Sequence, residues 1–526
     1  MQERGVMKMI LDSFLYNLQF DAEKVSPPGW EVDWKDAPLS YKLYQDVPSF
    51  QLSLEVPLTL EKPEAPSMPD LFRLGHFLWY TFGLTNVSQS LDPFEPTLEP
   101  VQSFRRFVPS GGALYPNELY LYLKLDDLPV GVYHYDVAHH RLMLLREGNF
   151  DSYIARALGN RCTIPTCFAT VIVTTMFWKN FFKYNNFSYR LQGLDAGVLI
   201  GQLLEMSKRF GFEAGVYFQF LDQAINHLLG LAEKEESTYA VIPLSVEPTS
   251  WLTPVNDGGS HFFASELCQE ISSIQRKHHI RSQRVKEYPM LLKMNQASMM
   301  TSTESIRHYQ LQEPLINKEK GFNLPIVNRL SYDLAAVCRN RFSPEMDYSL
   351  GRVSLSQLST LLKETMDSFT YRNDLNHGIP QVTLYSCLYN VEDIPNGAYF
   401  YDSKLHELKL LQPGDHRTQL QYAMTMDNVN LQQIPICVHV VGDSAFYKKT
   451  FSYRGYRIQQ MEAGMLVQRL LLTATALGMG GHPLLGFDAG SCDALYKLGV
   501  KRKTCLIQVP IGYYRNRPWL KGSLHS

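Results

Sequence analysis

The chain repeats itself once, and that constrains the fold more than any other feature. GVYHYDVAHHRLMLLREGNF starts at Gly131, and GAYFYDSKLHELKLLQPGDH answers it 266 residues later, at Gly397. Each copy reads as a hairpin: an aromatic-rich strand, a turn containing Asp136 or Asp402, then a strand of alternating leucines. Downstream, IPTCFATVIVTT from Ile164 is answered by IPICVHVVGD from Ile434. FSYRLQGLDAGVLIGQLLEMSKRFG from Phe187 is answered by FSYRGYRIQQMEAGMLVQRLLLTATALG from Phe451. In this last pair apolar residues recur at i, i+3, i+4 and i+7 up to Gly211 and Gly478, which predicts two long, largely buried helices with glycine stops. Closing strands follow at Ala240 and Cys505. Strands and helices mix without strict βαβ alternation, so the fold class is α+β. Two similar halves in one chain predict a fused homodimer. Such a fusion begins with two identical interface sites and can lose one, so the differences between the halves carry information about function.

The expected organisation is an N-terminal extension over 1–70, a first half over 71–255, a linker over 256–325 and a second half over 326–526. The linker opens with PVNDGGSHF, and ASELCQEISSIQRKHHIRSQR predicts an amphipathic helix with Arg276, Lys277, His278 and His279 on its solvated face. With 50 Lys+Arg against 52 Asp+Glu, the chain lacks the electrostatic footprint of a nucleic-acid binder. Hydrophobic residues at 45% and charged residues at 19% exclude wholesale disorder. The eight cysteines form no C-x-x-C pair and no zinc-like spacing, and they read as buried thiols of a cytoplasmic protein; no metal site is expected. The N-terminus lacks a signal-peptide pattern, and no run approaches the roughly 18 apolar residues of a membrane span. No G-x-G-x-x-G follows a strand, and P-loop, H-E-x-x-H and G-x-S-x-G motifs are absent.

The halves differ in telling places. Half one carries FRRFVPSGGALYPNELYLYLKL from Phe104, whose Pro109, Ser110, Gly111 and Gly112 form a loop that exposes backbone N–H groups before a strand. Half two has FTYRNDLNHGIPQVTLYSCLYN there; it keeps the strand and loses the loop. Conversely, half two opens with VCRNRFSPEMDYSLGRVSLSQLSTLL from Val337, with Arg339 and Arg341 at a helix end, where half one reads SFQLSLEVPLTL.

Together the arginine motif, P-S-G-G-A-L-Y-P, the G-x-Y-x-Y-D hairpin and the S-Y-R…A-G-x-L helix resemble the nitroreductase superfamily, and within it the SagB/ThcOx/McbC-type azoline dehydrogenases. The resemblance covers about 70–250 and 330–515. It implies two tandem nitroreductase-like domains forming an intramolecular pseudo-dimer that binds FMN. It also implies oxidation of peptide-borne thiazolines or oxazolines to azoles, with dioxygen as acceptor. In such dimers one subunit supplies the phosphate-binding arginines and its partner the Pro-Ser loop, so Arg339 and Arg341 would serve the same FMN as Pro109, Ser110, Gly111 and Gly112. GMGGHPLLGF from Gly478 resembles the family loop that passes the flavin N5, which brings in Gly480, Gly481, Pro483, Leu484 and Gly486. Half one's GFEAGVYFQF has lost the proline. One FMN per chain follows, with the second site degenerate. Where the family often has R-x-S-x-R, this chain reads Arg339-Asn340-Arg341. Arg515 is either a third phosphate ligand or an exposed C-terminal arginine. The family carries a catalytic Lys-Tyr motif where FFKYNNFSYR places Lys183 and Tyr184; a desolvated lysine there can act as base. His482, inside the loop, is the next candidate.

Three functions fit: an FMN-dependent azoline oxidase, a general NAD(P)H-dependent nitro or quinone reductase, and a flavin-free scaffold of a peptide-modifying complex. SPPGWEVDWKDAP and its surroundings show no leader-peptide-binding pattern. The substrate expected is therefore a peptide tethered to a carrier domain of a nonribosomal synthetase, ahead of a ribosomal precursor peptide. A further homodimer is allowed; nucleic-acid and membrane partners are not expected.

Overall fold

The computed structural model describes residues 2–90, 101–249, 251, 261–308, 321–367, 369–375, 381–516 and 521–523. Two compact units result. The first-half unit comprises Pro27–Tyr309, Tyr371–Gly378 and Trp519–Ser526; the second-half unit comprises Met1–Ser26, Gln310–Thr370 and Ile379–Pro518. The stretch expected as one N-terminal extension is thus divided. Its helix Gln2–Phe20 packs in the second-half unit, where the Gln19 amide donates to the Cys505 carbonyl at 2.7 Å and the Tyr453 hydroxyl to Asp12 at 2.8 Å.

The first-half sheet runs, in spatial order, Ser49–Gln51, Arg141–Glu147, Gly131–Asp136, Asn117–Leu123, Ala169–Met176, Glu236–Ser245, Glu213–Val216 and Arg372–Asn373. Neighbours are antiparallel except the last pair. The predicted hairpin holds: Asp136 accepts from the Ala138 amide at 3.1 Å and pairs with Arg141 at 2.8 Å, which closes the turn. The helix Ser188–Arg209 is buried on every face from Ser188 to Leu204. Gly211 ends it at φ +65°, in the left-handed region that glycine enters without steric cost.

The second-half sheet repeats the order: Phe322–Asn323, Glu407–Pro413, Gly397–Asp402, Thr383–Leu388, Ile436–Asp443, Lys503–Gly512 and Gly480–Gly481. Its long helix is Arg454–Ala476, stopped near Gly478 at φ +77°. The second FSYR lies ahead of this helix except for its arginine, so the halves equate through Tyr189-Arg190 and Tyr456-Arg457, not through the two FSYR strings. Both Arg190 and Arg457 are buried.

The linker departs from expectation. Its helix is only Ala264–Glu270, and the chain then runs extended. The basic run lies beside residues 43–45: the Gln45 amide donates to Lys277 O at 2.9 Å and the His279 amide to Leu43 O at 2.8 Å. Backbone pairing to a neighbouring segment, which sequence periodicity does not reveal, replaces the helix.

Residues 371–375, the second half's counterpart of the Pro-Ser-Gly-Gly region, are a structural tie in the first-half unit. Asp374 accepts from the Phe218 and Gln219 amides, both at 2.9 Å, and pairs with the fully buried Arg161 at 3.0 Å. Removing one partner strands a buried charge, so Asp374→Ala is expected to cost about 3–5 kcal/mol in chemical denaturation. Arg372 pairs with Glu213 at 2.5 Å but is 43% exposed. Arg372→Ala should therefore change stability by less than about 1 kcal/mol.

Candidate functional site

Two clusters gather the residues singled out in the sequence, one in each unit. In the first-half unit the Pro-Ser-Gly-Gly loop sits against the helix Trp178–Tyr184, which ends in the Lys-Tyr pair. Gly112 has φ +63°. A Cβ built there would stand 2.7 Å from the Tyr184 hydroxyl and 2.9 Å from Lys183 Nζ. Both functional groups therefore converge on bare backbone, and a side chain at 112 has no room. Gly111 is similarly crowded, since its Cβ would meet Leu191 at 2.9 Å. Pro109 and Ser110 are half-buried at the loop's start.

Lys183 is partly desolvated, and burial lowers its pKa from the ordinary lysine value. Its ammonium lies 4.9 Å from the Tyr184 ring centroid and 5.3 Å from that of Trp34. Trp34 is 55% exposed, on a strap whose Trp30 indole donates to Phe182 O at 3.2 Å. Burial pushes Tyr184 up to about 12, and the nearby Asp195 adds to the shift. The phenol is protonated at neutral pH and can donate.

Asp195 is the functional candidate that the sequence did not flag. It lies on the long helix and accepts from the Ser110 hydroxyl at 2.6 Å and the Gly111 amide at 3.3 Å; Ser110 Oγ in turn accepts from the Tyr115 amide at 2.9 Å. Burial pushes its carboxyl up to about 7, against the lowering by those two donors. In LDAGVLIG an aspartate two turns inside a long helix, flanked by apolar residues, was the available signal. At the far end of the loop, Lys179 contacts Tyr115 O at 3.3 Å and pairs with buried Glu118, which also holds His134 at 2.8 Å. By the helix register, Thr450 and Phe451 stand in half two where Lys183 and Tyr184 stand in half one. Glu462 replaces Asp195 and accepts from the Tyr447 hydroxyl at 2.9 Å.

In the second-half unit, Arg339 lies in the last turn of the helix Leu334–Asn340, and Arg341 is its C-cap. Arg339 is exposed, and Arg341 donates to Ser343 at 3.3 Å. The chain after this pair meets the 480s loop. A Cβ on Gly480 would meet Pro344 at 2.5 Å, and His482 Nδ1 lies 2.6 Å from Pro344 O, with its amide bonded to Pro510 O. Burial lowers the His482 pKa, and Arg341 lowers it further, so the ring is neutral and donates from Nδ1: a fastener between two loops. Gly481 pairs with Ile511, Leu484 exchanges backbone bonds with Gln508, and Gly486 O accepts from the Thr425 amide at 3.0 Å. Pro483 is half-buried within the loop. Arg515 is exposed, and its amide donates to Asp347 O at 2.9 Å, which sets it beside the segment that begins at Arg341. In the second-half unit Arg341 lies near His482 while Arg515 is tied to Asp347, and the first-half unit gathers Ser110, Gly112, Lys183 and Tyr184.

The α+β fold, repeated in tandem, is that of the nitroreductase superfamily. Residues 380–513 match the Nitroreductase family. A structure described as a candidate nitroreductase of Anabaena variabilis ATCC 29413 superposes with a TM-score of 0.72 over 96% of this chain and 99% of that one, at 20% identity. Among curated proteins, the trifolitoxin-processing protein TfxB of Rhizobium leguminosarum bv. trifolii is 29% identical over 140 residues, which is 25% of this chain and 36% of that protein. A structure of the E. coli microcin synthetase McbBCD complex with truncated pro-MccB17 matches 46% of this chain and 93% of that one at 18% identity, with a TM-score of 0.29. Among the described residues, no helix is long and apolar enough to cross a membrane.

The Asp195 carboxyl makes a prediction about stability. The folded state holds its proton more tightly than the unfolded chain, where the group titrates near the ordinary 3.8, so ionised Asp195 destabilises the fold. That cost is absent below about pH 4, grows as pH rises, and is complete above about pH 7. Asp195→Asn should therefore gain stability over wild type across that window, by up to about 4 kcal/mol, as followed by thermal denaturation against pH.

Proposed function

We propose that the chain is an FMN-dependent dehydrogenase that oxidises thiazoline or oxazoline rings in a peptide to azoles. The observation that carries this reading is the convergence of Lys183 Nζ and the Tyr184 hydroxyl on the bare backbone of Gly112. A flat ring system can lie against such backbone, and the arginines at an exposed helix end suit an anionic phosphate, so the residues present fit FMN. Arg339, Arg341 and Arg515, all of the second-half unit, would hold the phosphate. In the second-half unit the loop from Gly480 to Gly486, and in the first-half unit the loop from Pro109 to Gly112, would each offer backbone to a flavin ring. Bound FMN supplies hydride acceptance, with dioxygen as the terminal oxidant.

The chain's own residues do the proton work. Azoline oxidation removes a proton from the carbon next to the C=N and a hydride from the neighbouring carbon. Lys183, its pKa lowered by desolvation, takes the proton at Nζ. Tyr184, protonated at neutral pH, donates a hydrogen bond that orients the ring. Trp34 shields one side of the ammonium from water.

Similarity to a protein named for processing trifolitoxin favours a precursor peptide over a chain held on a synthetase carrier domain. The nitro or quinone reductase alternative requires bleaching of the flavin by NADPH. The scaffold alternative requires a colourless protein.

Purified protein should be yellow, and anaerobic mixing with a thiazoline peptide should bleach it while NADPH does not; the opposite pattern would refute the assignment. Lys183→Ala should stay yellow while bleaching slows about 10²–10⁴-fold. Arg339→Ala and Arg341→Ala should each release FMN, since each removes a charged partner worth about 1.5–3 kcal/mol. Arg372→Ala should keep its flavin.

A further inference from the structure

We propose that Asp195 is a positioning residue of the Lys183–Tyr184 site: through Ser110 and the Gly111 amide, its carboxylate sets the loop on which those two groups converge. The inference rests on the function proposed above and extends it to a residue two steps from the chemistry. The chain of contacts is continuous. Asp195 Oδ2 takes the Ser110 hydroxyl at 2.6 Å, Oδ1 takes the Gly111 amide at 3.3 Å, and Ser110 Oγ takes the Tyr115 amide at 2.9 Å. Between these anchors the loop passes through positive φ at Gly112, Ala113 and Tyr115. For Ala113 and Tyr115 that conformation costs energy and persists only where surroundings enforce it. The Asp195 bonds and the Lys179 contact to Tyr115 O supply that enforcement at the two ends.

The comparison between halves separates a functional from a purely structural role. Half two keeps a buried acid at the matching helix position, Glu462, but gives it to the Tyr447 hydroxyl instead of a loop serine. That half also lacks the lysine–tyrosine pair and the Pro-Ser-Gly-Gly loop. The acid is tied to the loop in the half that carries the reactive pair.

An ionised Asp195 accepts both donors. Protonation makes Oδ2 a donor, so the Ser110 hydroxyl no longer donates to it, and the charge-assisted bonds to Ser110 and Gly111 give way to weaker neutral ones, which loosens the loop. Because burial raises this carboxyl to about 7, that change falls in the neutral range. Tyr184, from the facing helix, is a titratable side chain that feels its charge; Lys183 lies on that same helix, at Gly112. The direct partners Ser110 and Gly111 do not titrate.

The test uses the full-length, flavin-loaded protein. First, Lys183 is labelled with trinitrobenzenesulfonate across pH without substrate and quantified by mass spectrometry of its peptide. Wild type should show a step near the Asp195 ionisation in addition to the lysine's own. Asp195→Asn and Ser110→Ala should both lose that step, and Asp195→Glu, the acid half two uses, should restore it. Second, single-turnover bleaching with a thiazoline peptide should slow about 10²-fold in Asp195→Asn with flavin content unchanged, the scale of loss expected for a small misplacement. An unchanged labelling step in both Asp195→Asn and Ser110→Ala, or an unchanged bleaching rate and pH profile, would overturn the role. If wild type fails to oxidise the peptide, the proposed reaction falls, and the labelling arm still decides on Asp195.

Discussion

Each half is organised by one helix buried on all sides, and that burial is the constraint on which everything else depends. Over Ser188–Leu204 and Arg454–Ala474 no face reaches solvent. Any polar side chain on such a helix must find a partner inside the protein, because an unpaired buried polar group costs on the order of 1–3 kcal/mol. Gln192 finds Asn180 at 2.8 Å, Gln202 finds Tyr80 O at 2.7 Å, and Asp195 finds Ser110. The last is the informative one. Gln192 and Gln202 tie the helix to neighbouring helices, whereas Asp195 reaches a loop and fixes its conformation. The same physics that satisfies a buried carboxyl thereby orders the backbone beneath Lys183 and Tyr184.

The two halves bury polar groups at different places, the second enclosing Glu364 with Arg469 at 2.6 Å. Half one encloses Glu118 with Lys179 and His134, and Lys42 with Glu236 at 2.7 Å and Tyr120. The sheet ladders equate Tyr120 opposite His134 with Tyr385 opposite Phe400, so the second half has an aromatic ring where the first has the histidine. By the same register Thr383 replaces Glu118, and by the helix register Phe446 replaces Lys179. Buried ion clusters are seldom the most stable solution for a core, and apolar replacement is often neutral or better. At these positions half two has two phenylalanines and a threonine in place of the charges and the histidine. Half one kept its charges, one of which touches the Tyr115 carbonyl at the end of the Pro-Ser-Gly-Gly loop.

Much of this was legible in the sequence because it is local. Hairpin turns announce themselves through Asp136 and Asp402, helix stops through Gly211 and Gly478, and the loop through Ser110-Gly111-Gly112. The repeat then fixed the α+β architecture without reference to any long-range contact. What was not legible depends on tertiary partners. The linker helix stops at Glu270 because the basic segment finds backbone partners at Leu43 and Gln45, more than 200 residues away in sequence. The helix Gln2–Phe20 carries no local mark of packing in the second-half unit, where Asp12 meets Lys448 and Tyr453. The second FSYR matched the first by letters, while burial of Arg457 and Glu462 sets the register three residues further on. Asp195 was hidden for a related reason: in a helix buried all round, one acid reads as noise until its partner is seen.

Duplication within one chain explains why such differences can accumulate. In a homodimer every substitution appears twice, so a residue that serves a site must be kept at both copies of that site. Once the copies are fused, each position is free to answer to its own surroundings. Glu462 could then be captured by Tyr447, and Thr450 and Phe451 could stand where Lys183 and Tyr184 stand in half one, at no cost to the first half. The arginines Arg339 and Arg341 were free of the opposite constraint, since the first half needs none in that place. The residues each half retains beyond what its own core requires are therefore the ones most directly tied to function, and Asp195, destabilising when ionised yet bonded to the loop, belongs among them.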